Sequence, residues 1–208
     1  MDARFLAYLA VAAVLIVTPG PDMALVARNA VRGGARAARA SAWGVGTGIL
    51  VWGLCSALGL AALLGKSASL FASLKLAGAL FLVALGLRSL LAAARRTAAP
   101  DAAGPSRPAP LAARDAYVQG LVGNLLNPKA GVIFVAIVPQ FIGPADGPAR
   151  IAAMTLAFVV MVTGWLAVYG TAVARAATRF GPRVRRALDG ASGAVMVALG
   201  ARLAVERG

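Results

Sequence analysis

Residues 40–65 contain no Asp, Glu, Lys or Arg, and neither do residues 151–174. Each run is longer than the roughly 20 residues a helix needs to cross the hydrocarbon core of a bilayer. Inside lipid, backbone polar groups must be satisfied within the segment, so such runs become helices. Composition agrees: 60% of the 208 residues are hydrophobic and 13% are charged, about half the charge of an ordinary soluble domain. The chain reads as an all-α integral membrane protein.

Apolar runs between charges mark six transmembrane helices, at residues 5–27, 41–64, 68–91, 116–141, 151–174 and 187–205. Residues 5–17 resemble the apolar core of a signal peptide. No small-x-small site follows, however, and hydrophobicity resumes at residues 23–27, so the segment reads as a retained first span. Residues 92–114 carry Pro100, Pro105, Pro108 and Pro110 among Ala, Arg and Ser and read as a flexible linker. The whole chain, 1–208, is then one transporter-like domain, with a first repeat over 1–91 and a second over 115–208.

Orientation follows from basic residues counted by loop. Arg28, Arg32, Arg36, Arg39, Arg88, Arg95, Arg96, Arg107, Arg114, Arg175, Arg179, Arg183, Arg185 and Arg186 make fourteen on one side, against Arg4, Lys66, Arg150, Arg202 and Arg207, five, on the other. The positive-inside bias puts the Arg-rich loops in the cytoplasm and both termini outside, in the periplasm. A net charge of +14 in a soluble protein would suggest nucleic-acid binding. Here the cations lie between apolar spans with no interleaved aromatics, so they serve as topology signals and anionic-lipid contacts.

An internal echo supports two halves. Val83-Ala84-Leu85-Gly86-Leu87-Arg88 and Val197-Ala198-Leu199-Gly200-Ala201-Arg202 match at five of six positions at an offset of 114, each closing a span. With three spans per half, the halves enter the membrane from opposite sides, giving the inverted-topology repeat found in many secondary transporters. Gly44-x-x-x-Gly48 fits a close helix contact. Trp43 and Tyr117, near span ends, read as interfacial anchors.

Two proline-broken motifs carry the chemistry. Thr18-Pro19-Gly20-Pro21-Asp22 interrupts the first span, and Asn124-Leu125-Leu126-Asn127-Pro128-Lys129 interrupts the fourth. A helical proline frees the carbonyl four residues back: Leu15 for Pro19, Val17 for Pro21 and Asn124 for Pro128. The half-helix opening near Pro21 offers free N–H groups and a positive dipole end that suit a carboxylate. Freed carbonyls suit an ammonium or a cation, and a zwitterionic amino acid needs both. Asp22 and Lys129 are costly to place in a membrane, so they face a cavity and a partner. The expectation is that they approach each other across the repeat axis and alternately bind substrate and each other, with Asp22 as the proton-coupling carboxylate. Lys75, seven residues into the third span, reads as snorkelling outward. Asn124 and Asn127 either bind substrate or satisfy broken backbone, and Pro139-Gln140-Phe141 reads as a helix terminus.

Other classes fit poorly. There is no histidine, and Cys55 is the only cysteine, which leaves no disulfide, no Cys-based metal framework and no imidazole proton shuttle. An intramembrane enzyme would need a nucleophile or metal cluster that the chain lacks. A non-catalytic membrane protein leaves Asp22 and Lys129 unexplained, and a six-span transporter of an inorganic ion is the main alternative. No cofactor is called for.

On Thr18-Pro19-Gly20-Pro21-Asp22, Asn127-Pro128-Lys129-Ala130 and Pro139-Gln140-Phe141, the chain resembles the lysine-exporter (LysE/RhtB) family of bacterial amino-acid exporters. Length, six-span plan and variable central loop extend the resemblance over essentially the whole chain. It implies an inner-membrane exporter of amino acids or their derivatives, driven by the proton motive force. Similar proteins are associated with basic, hydroxylated and branched-chain amino acids. Six spans in a small chain also fit a homodimer.

Overall fold

A computed structural model of the chain describes residues 2–58, 67–98, 110–143, 146–179 and 182–205. Among them there is no strand. The elements are α1 (Ala3–Val17), α2 (Pro21–Ala57), α3 (Ala68–Ala98), α4 (Ala113–Leu125), α5 (Pro128–Val132), α6 (Pro148–Arg179) and α7 (Pro182–Val205). Helix α5 runs on through a π-helical turn, Ile133–Ile137, and a 3-10 turn, Val138–Phe141. That widening precedes Pro139, which cannot donate to the ladder. The Gln140 side chain instead donates to the Ala136 carbonyl at 2.8 Å, and the helix ends there, as the Pro139-Gln140-Phe141 motif suggested.

Among the described residues three helices are long and apolar enough to cross a membrane: Pro21–Ala57, Ala68–Leu91 within α3, and Pro148–Arg179. Ala113–Leu125 and Pro128–Phe141, bent by 52° at their junction, make a fourth if the pair is one span. Ala3–Val17 and Gly190–Val205 are apolar but shorter. Large apolar side chains lie on the outside, among them Val160 at 71% and Val168 at 69% exposure on α6. Such a surface is stable where the solvent is itself apolar. The protein is a membrane protein.

Two expectations from the sequence are corrected. The Arg-rich stretch after residue 27 is helical, and α2 runs through it. Arg is a good helix former, so a charge count alone does not separate helix from loop. The helix is interrupted instead at Gly34, whose φ of 70° and ψ of −166° lie in a region essentially reserved for glycine. Arg28, counted as a cytoplasmic loop cation, is buried at 1% exposure. Its guanidinium donates to Ser89 Oγ at 2.6 Å, Gln119 Oε1 at 3.0 Å and Asn29 Oδ1 at 3.2 Å. The 92–114 linker is also shorter than its proline content implied, since α3 continues to Ala98 and α4 begins at Ala113. Residues 99–109 and 59–66 lie outside the described residues.

The main core gathers Tyr8, Val26, Val45, Phe134, Met154 and Leu166 from α1, α2, the π turn and α6, and a second cluster joins Leu25, Leu82, Leu85 and Met196. Small residues bring the backbones together. A methyl group at Gly44 would strike the Tyr117 carbonyl, and one at Gly48 would meet the Asn124 side chain, so Gly44-x-x-x-Gly48 does make the close helix contact. Tyr117 is less an interfacial anchor than a packed residue, donating its hydroxyl to Thr47 Oγ1 at 2.9 Å. Helices α3 and α7 meet at the two echoed segments. A methyl at Gly86 would come within 2.6 Å of the Gly193 carbonyl oxygen and 2.7 Å of Val197, while one at Gly200 would come within 2.8 Å of the Ala79 carbonyl oxygen and 2.7 Å of Val83.

Candidate functional site

Proline chemistry builds the site. Helix α1 ends at Val17, with Thr18 as its C-cap and the Thr18 hydroxyl donating to the Val14 carbonyl at 2.7 Å. Gly20, extended, precedes α2, which opens on Pro21. The other junction mirrors it: Asn127 caps α5, its Oδ1 accepting from the Lys129 amide at 3.0 Å, and α5 opens on Pro128. In both cases proline takes the first helical position, where its missing N–H is not needed. The residue after each proline is the charged one, so Asp22 and Lys129 occupy the same position in two half-helices.

The Leu15 carbonyl, freed because Pro19 has no N–H, is taken by Lys129. Its ammonium donates to Leu15 O at 2.9 Å and to Thr18 O at 3.0 Å. Lys129 thereby ties the start of α5 to the end of α1, and an ammonium does sit on the freed backbone. On the other side Asp22 Oδ2 accepts from Asn124 Nδ2 at 3.0 Å. Asn124 is fully buried, and its own carbonyl accepts from the Trp52 indole at 3.3 Å and the Asn127 amide at 3.0 Å. Asp22 Oδ1 and Asn124 Oδ1 are buried without a hydrogen-bond partner in the protein. Two orphaned acceptors at this depth are costly, and a cationic donor supplies what they lack. Asp22 and Lys129 do not form a direct ion pair in this state.

Both charges line one small cavity of about 40 Å³, with Thr18, Gly20, Pro21 and Asn127. Its apolar wall comes from Ile49 on α2 and from Phe158, Val162 and Leu166, one face of α6. The volume admits a few waters and is far below the roughly 300–1,000 Å³ of an ordinary ligand cleft. Across Gly20 and Lys129 lies a second cleft of about 500 Å³, which Pro19, Pro128, Lys75 and Arg202 also line. The nine residues singled out from the sequence thus converge: eight line one cavity or the other, and Asn124 holds Asp22. Lys75 does not simply snorkel outward but lines the larger cleft. The α6 wall was missed because its four-residue spacing is that of any buried helix face. No group of three or more metal-ligating side chains occurs among the described residues.

A family model described as LysE type translocator matches residues 13–207. The chain is similar to the threonine efflux protein of Escherichia coli (strain K12), 28% identical over 98% of both chains. It is similar also to the homoserine/homoserine lactone efflux protein of Salmonella typhi, 32% identical over 97% of this chain and 96% of the relative. The uncharacterized membrane protein YrhP of Bacillus subtilis (strain 168) is 35% identical over 66% of this chain and 67% of its own. No solved structure matches the chain.

Proposed function

The chain belongs to the LysE type translocator family and is a transporter rather than an enzyme, and we propose that it exports a small amino acid or a derivative of one through the cavity built round Asp22 and Lys129. The observation that carries this reading is that an acid and a base, at matching positions of two proline-opened half-helices, line one cavity without neutralising each other. Relatives named for threonine efflux and for homoserine and homoserine lactone efflux direct the substrate class toward small hydroxylated amino acids.

The architecture we infer is six spans in two inverted repeats, with the first and fourth spans broken at their prolines and the stretch between α3 and α4 as a cytoplasmic linker. In support, Gly86 packs on Gly193 and Val197, while Gly200 packs on Ala79 and Val83. Exchanging each residue for its counterpart 114 positions away (86 for 200, 193 for 79, 197 for 83) turns one set of contacts into the other, as a two-fold axis requires. The protein would lie in the bacterial inner membrane with both termini periplasmic.

Export follows from competition for one carboxylate. The substrate ammonium donates to Asp22 Oδ1, a buried acceptor without a partner on a residue that lines the cavity. A proton on Asp22 removes the charge that holds that ammonium. The proton-rich periplasmic face therefore favours release and the cytoplasmic face favours loading, which is proton antiport. Because the small cavity cannot hold an amino acid as it stands, loading requires the half-helices to move apart.

The test is uptake of threonine, homoserine, lysine and leucine into inside-out vesicles, with and without a proton gradient, for the wild type and Asp22→Asn. The expected result is gradient-dependent accumulation of threonine and homoserine, lost in Asp22→Asn. No uptake of any amino acid by the inserted protein would shift the reading to an inorganic cation. Full transport by Asp22→Asn would return Asp22 to a structural role.

A further inference from the structure

The half-helix that carries Lys129 is regular only over Pro128–Val132. One turn beyond Lys129 the backbone widens into the π turn Ile133–Ile137, where the Val138 amide donates to the Ile133 carbonyl. In that register the next donor, for the Phe134 carbonyl, would be residue 139, and Pro139 has no N–H. The Ser56 hydroxyl of α2 supplies the missing bond, donating to Phe134 O at 3.3 Å. The Ala136 carbonyl accepts from the Gln140 side chain at 2.8 Å. Side-chain donors can rotate away, so both bonds can be exchanged without unwinding a helix. Single π turns of this kind recur at functional sites.

The two ends of this segment are anchored differently. At the far end the Phe141 ring lies edge-on to the buried Tyr8 of α1, with 5.6 Å between centroids. The Tyr8 hydroxyl in turn donates to the Met154 carbonyl of α6 at 3.0 Å, which fixes that end in the core. At the near end one ammonium, that of Lys129, holds α1 through the carbonyls of Leu15 and Thr18. Between the anchors Ile133 lines both cavities. Phe134 packs on Phe158 of the α6 wall, with ring centroids 6.1 Å apart.

We propose that the π turn is the hinge on which the Lys129 half-helix swings away from α1, with Pro139 and Ser56 as its positioning residues. The proline keeps the turn open, and the Ser56 hydroxyl holds the closed state. The hinge rests on the reading above that loading requires the half-helices to part. Moving the bond pattern by one residue rotates the helix before it by on the order of 100° and shifts it about 1.5 Å. That takes Lys129 off the Leu15 and Thr18 carbonyls while Phe141 stays on Tyr8. An unbroken α-helix is no resting place for the segment, because the Val135 carbonyl would then need the donor that Pro139 lacks.

The experiment reads the hinge apart from transport. Amide hydrogen exchange over residues 131–138 is followed by mass spectrometry on the whole chain in detergent, beside thermal unfolding and threonine counterflow in proteoliposomes. Ser56→Ala should speed exchange there by at least ~10-fold, and Ser56→Thr, which keeps the hydroxyl, should not. Pro139→Ala restores the missing donor and should slow exchange by at least ~10-fold without lowering the melting temperature. The same variant should cut counterflow by ~10-fold or more, as a stiffened hinge does. Unchanged exchange in either alanine variant would overturn the hinge. So would a Pro139→Ala protein that transports at the wild-type rate despite a protected turn. Transport and melting temperature falling together in Pro139→Ala would make Pro139 a helix terminus alone and overturn the hinge as well. The expected exchange pattern in a wild type that moves no amino acid would keep the hinge and sink the export reading instead.

Discussion

The acid at the centre of the site is held by an amide that is itself held by an absence. Asn124 reaches Asp22 because residue 48 has no side chain: a methyl there would lie 2.5 Å from Asn124 Oδ1 and 2.9 Å from its Cβ. Asn124 cannot give way easily, since its carbonyl is engaged by Trp52 and its amide by Asp22. Gly48→Ala should therefore push the amide off the carboxylate, cost about 1–3 kcal/mol of stability through overpacking, and reduce transport by at least ~10-fold while the protein still inserts. Gly164 supplies the control, because a methyl there meets nothing within 4 Å. Gly164→Ala should transport normally and gain up to about 1 kcal/mol from helix propensity. Thermal unfolding in detergent and vesicle uptake, run side by side, check both. Equal behaviour of the two variants would show that Asn124 does not position Asp22.

At the scale of elements, the short helix α1 depends on what ties its ends. Lys129 binds its C-terminus, and Asp2 secures the other end, where Oδ1 accepts from the Phe5 amide at 2.8 Å and from Arg150 Nη2 at 2.8 Å. The Arg150 guanidinium also sits 5.3 Å from the centroid of the Phe5 ring. Arg150 and then the Phe5 amide hold the Asp2 carboxyl down from 3.8 to about 2. A carboxyl depressed in the folded state stabilises fully above its unfolded value of about 3.9 and progressively less as pH falls through the folded one. The melting temperature of the wild type should exceed that of Asp2→Asn by a constant margin from pH 7 to 5, and the margin should close below pH 4. A margin independent of pH would mean that the Arg150 contact contributes nothing. How far such elements can be read from sequence depends on whether their cause is local. Residues 68–91 were legible to the residue as an apolar span, and the helix ends at Val17 and Leu125 were legible from Pro19 and Pro128, because proline acts through its own covalent geometry. The burial of Arg28 was not, because it depends on neighbours distant in sequence, Ser89 and Gln119, which accept from its guanidinium. Lys75 was misplaced for the same reason, since only the packing of α3 on α7 decides what a lysine near a span end will face.

Across the whole molecule, the reciprocal contacts of Gly86 and Gly200 point to a two-fold relation between halves, and the site departs from it in charge. Where Asp22 follows one helix-opening proline, Lys129 follows the other, so in the inferred inverted repeat the two faces of the membrane would meet chemically different half-helices. That asymmetry gives a direction to the molecule, and direction in turn requires one orientation in the bilayer. With Arg28 buried in the fold, thirteen of the basic residues counted on one side remain against five on the other, and they support the orientation inferred above, because positive charge resists translocation. Gly147 and Arg179 lie at opposite ends of the α6 span and so on opposite sides. In a Cys55→Ser background, a membrane-impermeant maleimide applied to spheroplasts should label Gly147→Cys and spare Arg179→Cys, and inside-out vesicles should reverse the pattern. Labelling of both from one face would remove α6 as a span and with it the odd number of crossings that an inverted repeat needs. The reverse pattern throughout would keep the repeat but invert it in the bilayer, placing both termini in the cytoplasm and overturning the orientation read from the basic residues.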